Sequence, residues 1–325
     1  MKRANRNFPS RAFVYYAWIT TAAMFLVLLM GFTVTTTGSG QGCGHSWPLC
    51  HGQFIPAYTI ASLIEYSHRA VTGVAGFLVF ILLLWSLRGI RRPDVLLPAS
   101  VGMLFVLVQA GIGAADVIWP ESAEVLALHF GFSLLAFAGV LLTAISLTQL
   151  HAGKGMTVRS QRAPGHASWW YWGLFAYTYG TVYLGAYVTH RKAGLACGGW
   201  PLCQGSWFPG FSGQAGIAFA HRLATVGLLA YAVWILLQTW RFRHARRDLF
   251  RAAATLLVLV VLQAASGAFM VFSAISVFAS LVHVALMTLL FGALSYLCFA
   301  SFPEPRSARA DDLGESLGEK AALQP

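Results

Sequence analysis

The sequence predicts an all-α membrane protein in which eight transmembrane helices form two tandem-repeat four-helix bundles. Three observations predict it. Hydrophobic residues make up 57% of the 325 and charged residues 10%, too apolar and too poorly charged for a soluble domain of this length. Apolar windows long enough to cross a hydrocarbon core of about 30 Å, which takes about 20 residues, occur eight times. A cysteine-bracketed loop occurs twice: GCGHSWPLCHGQFIP at 42–56 returns as LACGGWPLCQGSWFP at 195–209.

The first window, 13–33, follows Lys2, Arg3, Arg6 and Arg11 and runs into the first cysteine loop. It is too long for the apolar core of a cleaved signal peptide, and no small-residue cleavage site stands out after it. The second, 64–87, ends at Arg88, Arg91 and Arg92, and the third spans 95–115. The fourth, 124–149, precedes Lys154, Arg159 and Arg162, and the fifth, 168–189, runs into the second cysteine loop. The sixth, 216–240, is followed by Arg241, Arg243, Arg246, Arg247 and Arg251. The seventh and eighth cover 252–273 and 278–301, and from Pro303 a polar tail carries Arg306, Arg309 and Lys320. Gly, Ser and Thr within the windows are tolerated, because small residues let spanning helices pack closely.

Most of the 22 Lys and Arg residues thus fall in alternate loops. By the positive-inside rule that side is the cytoplasm. The chain is expected to be a multi-pass protein of the cell (plasma) membrane with both termini cytoplasmic and both cysteine loops outside. The formal charge of +11 follows from orientation, and no nucleic-acid partner is expected.

The duplication extends past the loops. Trp47 and Trp200, Cys50 and Cys203, and His68 and His221 are offset by 153, while Gln109 and Gln263, and His129 and His283, are offset by 154. Two halves of one design follow, with boundaries at 1–155 for an N-terminal four-helix bundle, 156–302 for a C-terminal one and 303–325 for the tail. Four helices per half put both bundles in the membrane in the same orientation.

Outside the cytoplasm, paired thiols oxidise. Cys43 with Cys50 and Cys197 with Cys203 are close enough in sequence to form disulfides within their own loops. A zinc site of Cys43, His45, Cys50 and His51 is the rival reading, but the second copy has Gly199 and Gln204 near the places where ligands are needed. Cys298 reads as a small apolar residue.

The matched histidines carry the chemistry. His68, His129, His221 and His283 recur near the outer ends of the second, fourth, sixth and eighth helices, and polar groups at membrane depth are functional candidates. A lone histidine is ordinarily a hydrogen-bonded core residue; four at repeat-related positions, two per bundle, fit haem-iron ligands projecting into a four-helix bundle. Two haem sites are therefore expected. Arg69 and Arg222 follow the first histidine of each pair and suit either haem propionates or interfacial snorkelling. His45, His51, His151, His166, His190 and His244 lie in or beside loops and read as ordinary polar residues. The halves differ where IEYSHRAVTG faces AFAHRLATVG: Glu65, one turn before His68 and on its face, is Ala218 in the second half.

Eight spans in two halves, Glu-x-x-His-Arg at 65–69, His-Arg at 221–222, single histidines at 129 and 283, and a Cys pair in each outer loop resemble the haem A synthase family, specifically the bacterial type with paired extracellular cysteines. The resemblance covers residues 10 to 300. It implies an oxidoreductase that converts the C8 methyl of haem O to the formyl of haem A, through a hydroxymethyl stage, for terminal oxidases. It further implies haem b as cofactor, held by His221 and His283 in the C-terminal half. His68 and His129 then flank the substrate iron, with Glu65 as the catalytic carboxylate. Haem O, haem O synthase, the terminal oxidase and membrane lipid are the implied partners. Cys43 and Cys50 are candidates for redox exchange, whereas Cys197 and Cys203 are expected to be structural.

Two other functions use the same residues. A quinol-linked, two-haem cytochrome b electron carrier needs the four histidines but gives Glu65 no work at one of two equivalent sites. A transporter with internal duplication expects polar residues and broken helices at the midplane, whereas here the polar residues cluster at the outer ends.

Overall fold

The computed structural model describes residues 8–54, 59–90, 92–119, 122–153 and 166–302. Lys2, Arg3, Arg6, Arg91, Lys154, Arg159, Arg162 and the tail from 303 lie outside these. The described residues form eight long helices: α1 (Arg11–Thr37), α2 (Ile60–Gly89), α3 (Pro93–Ile118), α4 (Ala123–His151), α5 (Ala167–His190), α6 (Gly213–Trp240), α7 (Arg247–Phe272) and α8 (Val277–Ala300). Each overlaps one predicted window and most run past it, because the stop signals are polar residues that an apolar window does not count. Ser10, Thr59, Ser122 and Ser276 accept backbone N–H groups at the starts of α1, α2, α4 and α8, satisfying donors that a helix leaves orphaned. Pro93 opens α3, where its missing N–H costs nothing. Gly38, left-handed at φ 67°, ends α1.

Seven of the eight helices are long and apolar enough to cross a membrane. The other is α5, whose 24 residues include Trp169, Trp170, Trp172, Tyr171, Tyr177, Tyr179, Tyr183 and Tyr187. Its length of about 36 Å is sufficient. Its composition is aromatic rather than aliphatic, and the polar atoms of Tyr and Trp lower hydropathy while the rings still bury: Tyr171 is fully buried with its hydroxyl bonded to Thr239.

Consecutive helices pack side by side, and α1 also meets α4, as α5 meets α8. The two runs of four touch through α1, α4, α5 and α8. α4 and α8 therefore lie innermost, with Leu134, Leu147, Leu290, Phe291 and Leu294 fully buried. Small residues set the closest approaches. A Cβ on Gly139 would lie 2.6 Å from the Gly102 nitrogen and the Pro98 carbonyl oxygen of α3, so no larger residue fits. Equivalent positions repeat in structure: Arg92 pairs with Asp94 before α3, and Arg246 with Asp248 before α7. Arg246 is buried and also donates to the Ala300 carbonyl at 2.7 Å.

Candidate functional site

The two cysteine loops close over the same end of the helices. Cys43 and Cys50 form one disulfide, with Cα atoms 4.7 Å apart, and Cys197 and Cys203 form the other, at 4.2 Å. All four are buried, so their sulfurs are taken by one another as expected. The chain turns back identically after each second cysteine. Cys50 exchanges backbone hydrogen bonds with Gln53, and Cys203 with Ser206. His51 and Gln204 are both left-handed at φ 52°, followed by left-handed Gly52 and Gly205. Arg69 donates to the Ser46 and Leu49 carbonyls, and Arg222 to those of Gly199, Pro201 and Leu202. Each guanidinium thus pins its loop to the helix that carries the neighbouring histidine.

Below the loops the four histidines fall into two pairs. His68 and His129 are within electrostatic reach of each other, as are His221 and His283. Each ring lies against a glycine of the preceding helix. A Cβ added to Gly31 would stand 3.1 Å from His68, to Gly113 3.3 Å from His129, to Gly185 2.7 Å from His221 and to Gly267 3.6 Å from His283. These glycines are themselves repeat-related, Gly31 to Gly185 and Gly113 to Gly267, at an offset of 154. Periodicity could have found them; their frequency in spanning helices masked them.

Among the described residues, the first loop rests on a carboxylate and the second on none. Glu65 is buried, accepts the Cys43 N–H on Oε2 at 2.8 Å, and is ion-paired through Oε1 to Arg69. Ser62, one turn earlier, donates to the Gly42 carbonyl at 2.6 Å. In the second half Ala215 and Ala218 occupy these positions and pack on the Cys197–Cys203 disulfide. A polar seam joins the first loop to its helix; an apolar one joins the second.

The fourth helix of each half differs in the opposite sense. His283 Nδ1 lies 2.8 Å from Ser266 Oγ, and the Gln263 amide nitrogen is 3.0 Å from His283 Nε2. In the first half the serine is missing from that position, which is Ile112, and the Gln109 amide oxygen is engaged by Ser133 instead. His129 Nδ1 has no hydrogen-bond partner among the described residues, nor do the equally buried His68 Nδ1 and His221 Nδ1.

Two further residues went unnoticed in the sequence. His190, read as an ordinary polar residue, comes within electrostatic reach of His129. Tyr179 on α5 puts its hydroxyl 2.6 Å from where a Gly131 Cβ would be on α4. Of the other histidines, His45 meets the Val117 carbonyl, His51 that of Gly42 and His151 that of Pro9, which suits ordinary polar residues.

These residues fit haem. Three buried imidazoles each keep a ring nitrogen without a partner among the described residues, and a neutral imidazole lone pair is an iron ligand. Each ring is backed by a glycine, so no side chain competes for the space it occupies. Residues 14–295 match the family model COX15-CtaA, cytochrome oxidase assembly protein. Proteins named heme A synthase are similar over most of the chain. The one from Symbiobacterium thermophilum is 42% identical over 89% of this chain and 95% of its own. Its counterpart in Geobacillus kaustophilus is 38% identical over 96% and 98%, and that in Alkalihalophilus pseudofirmus 38% over 87% and 95%.

Proposed function

The chain belongs to the COX15-CtaA family of cytochrome oxidase assembly proteins, with the haem A synthase function of its relatives, and we propose that it oxidises the C8 methyl of haem O to the formyl of haem A. In this reading the chain spans the cell membrane eight times as two tandem bundles, 1–155 and 156–302, with both disulfide loops outside and both termini, including the tail 303–325, in the cytoplasm. His68 and His129 hold the substrate iron, and His221 and His283 hold haem b. Bound haem b supplies one-electron redox chemistry to the second site.

Glu65 is the catalytic carboxylate. The Cys43 N–H and Arg69 fix both of its oxygens, so it presents a pre-aimed lone pair at the first site without reorganising. Ion pairing with Arg69 cancels much of the charge that would stabilise a cation at the methyl carbon. The same contacts stabilise the anion and make it a weaker base, so both roles stay with Glu65: stabilising a cationic intermediate at the methyl carbon or taking a proton from attacking water. Arg69 and Arg222 are the cations for haem propionates, sharing their remaining donors with the loop carbonyls. Cys43 and Cys50 border the reactive site through Glu65 and are as buried as the second pair, so redox exchange at them requires the first loop to open; Cys197 and Cys203 brace an apolar seam and are structural. A farnesylated substrate enters from the lipid, is supplied by haem O synthase and leaves as haem A for the terminal oxidase.

The observation that carries this reading is the carboxylate under one of two otherwise matched loops. A two-haem electron carrier needs both pairs of histidines but has no use for that difference. Expression of the chain in a host that makes haem O, followed by identification of the extracted haems, tests it. Haem A is the expected product; haem O alone in membranes rich in the folded protein would refute the reading.

A further inference from the structure

Among the four imidazoles, His283 is held by side chains of the neighbouring helix, and the hydrogen-bond directions fix its tautomer. Ser266 Oγ donates to the Gln263 carbonyl, one turn back, at 2.8 Å. Its proton is thereby used, so towards His283 it can only accept, and the 2.8 Å contact requires the proton on Nδ1. The Gln263 amide nitrogen lies 3.0 Å from Nε2 and 3.3 Å from Nδ1, beside both ring nitrogens, so the placement of the proton rests on the serine. With Nδ1–H anchored on a buried hydroxyl, Nε2 carries the ring's lone pair, which the Gln263 amide has to release when Nε2 serves as the ligand atom. At the repeat-related position Ile112 has no hydroxyl to offer His129, which is left with the Gln109 backbone, while Ser133 lies against the Gln109 amide and the His129 carbonyl.

We propose that Ser266 is a positioning residue that locks His283 in one tautomer and orientation, so that the second site retains its haem, whereas the first site lacks the lock and can exchange haem. This rests on the assignment of a resident haem b to His221 and His283. An outer hydrogen bond to a ligating imidazole raises its basicity and fixes its aim, and removing one typically costs about 10- to 100-fold in metal affinity. A site that must take in haem O and give up haem A has no need of such retention.

The test uses the purified full chain with its resident haem. Haem loss is followed by transfer to excess apomyoglobin, and the haem midpoint potential by redox titration. Ser266→Ala is expected to fold, since the matching position in the first half is already apolar. It should lose haem about 10- to 100-fold faster than wild type. Its potential should rise, because a ligand that has lost its hydrogen-bond acceptor supports oxidised iron less well. Ser266→Thr, which keeps the hydroxyl, should restore both properties. A haem that depends on His283 but keeps its loss rate and potential in Ser266→Ala overturns the inference alone. A wild-type haem that survives His283→Ala overturns the site assignment and the inference together.

Discussion

The two disulfide loops have the same turn, the same left-handed pair after the second cysteine and the same arginine clamp, yet the helix beneath the first offers Ser62 and Glu65 where the second offers Ala215 and Ala218. One scaffold has thus been kept twice, with a hydroxyl and a carboxylate under one copy and two methyl groups under the other. The converse holds at the fourth helix of each half, where Ser266 contacts His283 while the matching position beside His129's helix is Ile112. Duplication separates what the fold requires, which is matched, from what each site does, which is not. The histidines, their glycines and the loop geometry belong to the first class. Glu65 and Ser266 belong to the second.

Removing the largest difference should have the largest effect. Glu65→Ala makes the first site resemble the second, and the loss of a positioned carboxylate is expected to lower haem A formation about 10²- to 10⁴-fold, with haem b content unchanged. Glu65→Gln should be nearly as poor, since it keeps size and hydrogen bonding without the charge. Product analysis of membranes holding equal amounts of each variant checks this; wild-type haem A in both would reduce Glu65 to a loop anchor.

The matched glycines should break in order of the space behind them. Gly185→Ala places a methyl 2.7 Å from His221, well inside contact distance, while Gly267→Ala places one 3.6 Å from His283, an ordinary contact. The first should displace the ring and reduce haem b occupancy about tenfold or more, by analogy with disturbing a ligand's support, and the second should bind haem b normally. Spectroscopic haem-to-protein ratios decide; equal occupancy in the two would mean that the glycines do not set the ring positions.

Smaller effects are expected at the disulfides. Replacing Cys43 and Cys50 with serine loosens the segment whose N–H holds Glu65, so the haem A to haem O ratio should fall even among folded molecules. Replacing Cys197 and Cys203 should cost stability, about 2–4 kcal/mol for a typical disulfide, and leave the ratio near wild type. Thermal unfolding beside product analysis separates the two outcomes, and identical product ratios in both pairs would contradict the polar seam's role.

Much of this site could be read from the sequence because duplication supplies an internal control. His68, His129, His221 and His283 stood out by their offsets, and Glu65 by having no counterpart. What could not be read were the partners. The i to i+4 relation of Glu65 and Arg69 was available from helical spacing, yet Arg69 drew attention for propionates because the loop carbonyls it binds are 20 and 23 residues earlier in the chain. Ser266 was invisible for a similar reason: its meaning lies in His283, on another helix. The fifth helix was legible as an apolar window, although its aromatic residues keep it below the hydropathy of the other seven.

The division of labour between the halves is tested most directly by removing the ligands of one half at a time and identifying the haem that stays. In a host making haem O, the doubly substituted His68→Ala, His129→Ala chain should purify with haem b and without haem O or haem A. The His221→Ala, His283→Ala chain should lose haem b. Haem b retained by the second variant and lost from the first would contradict the account.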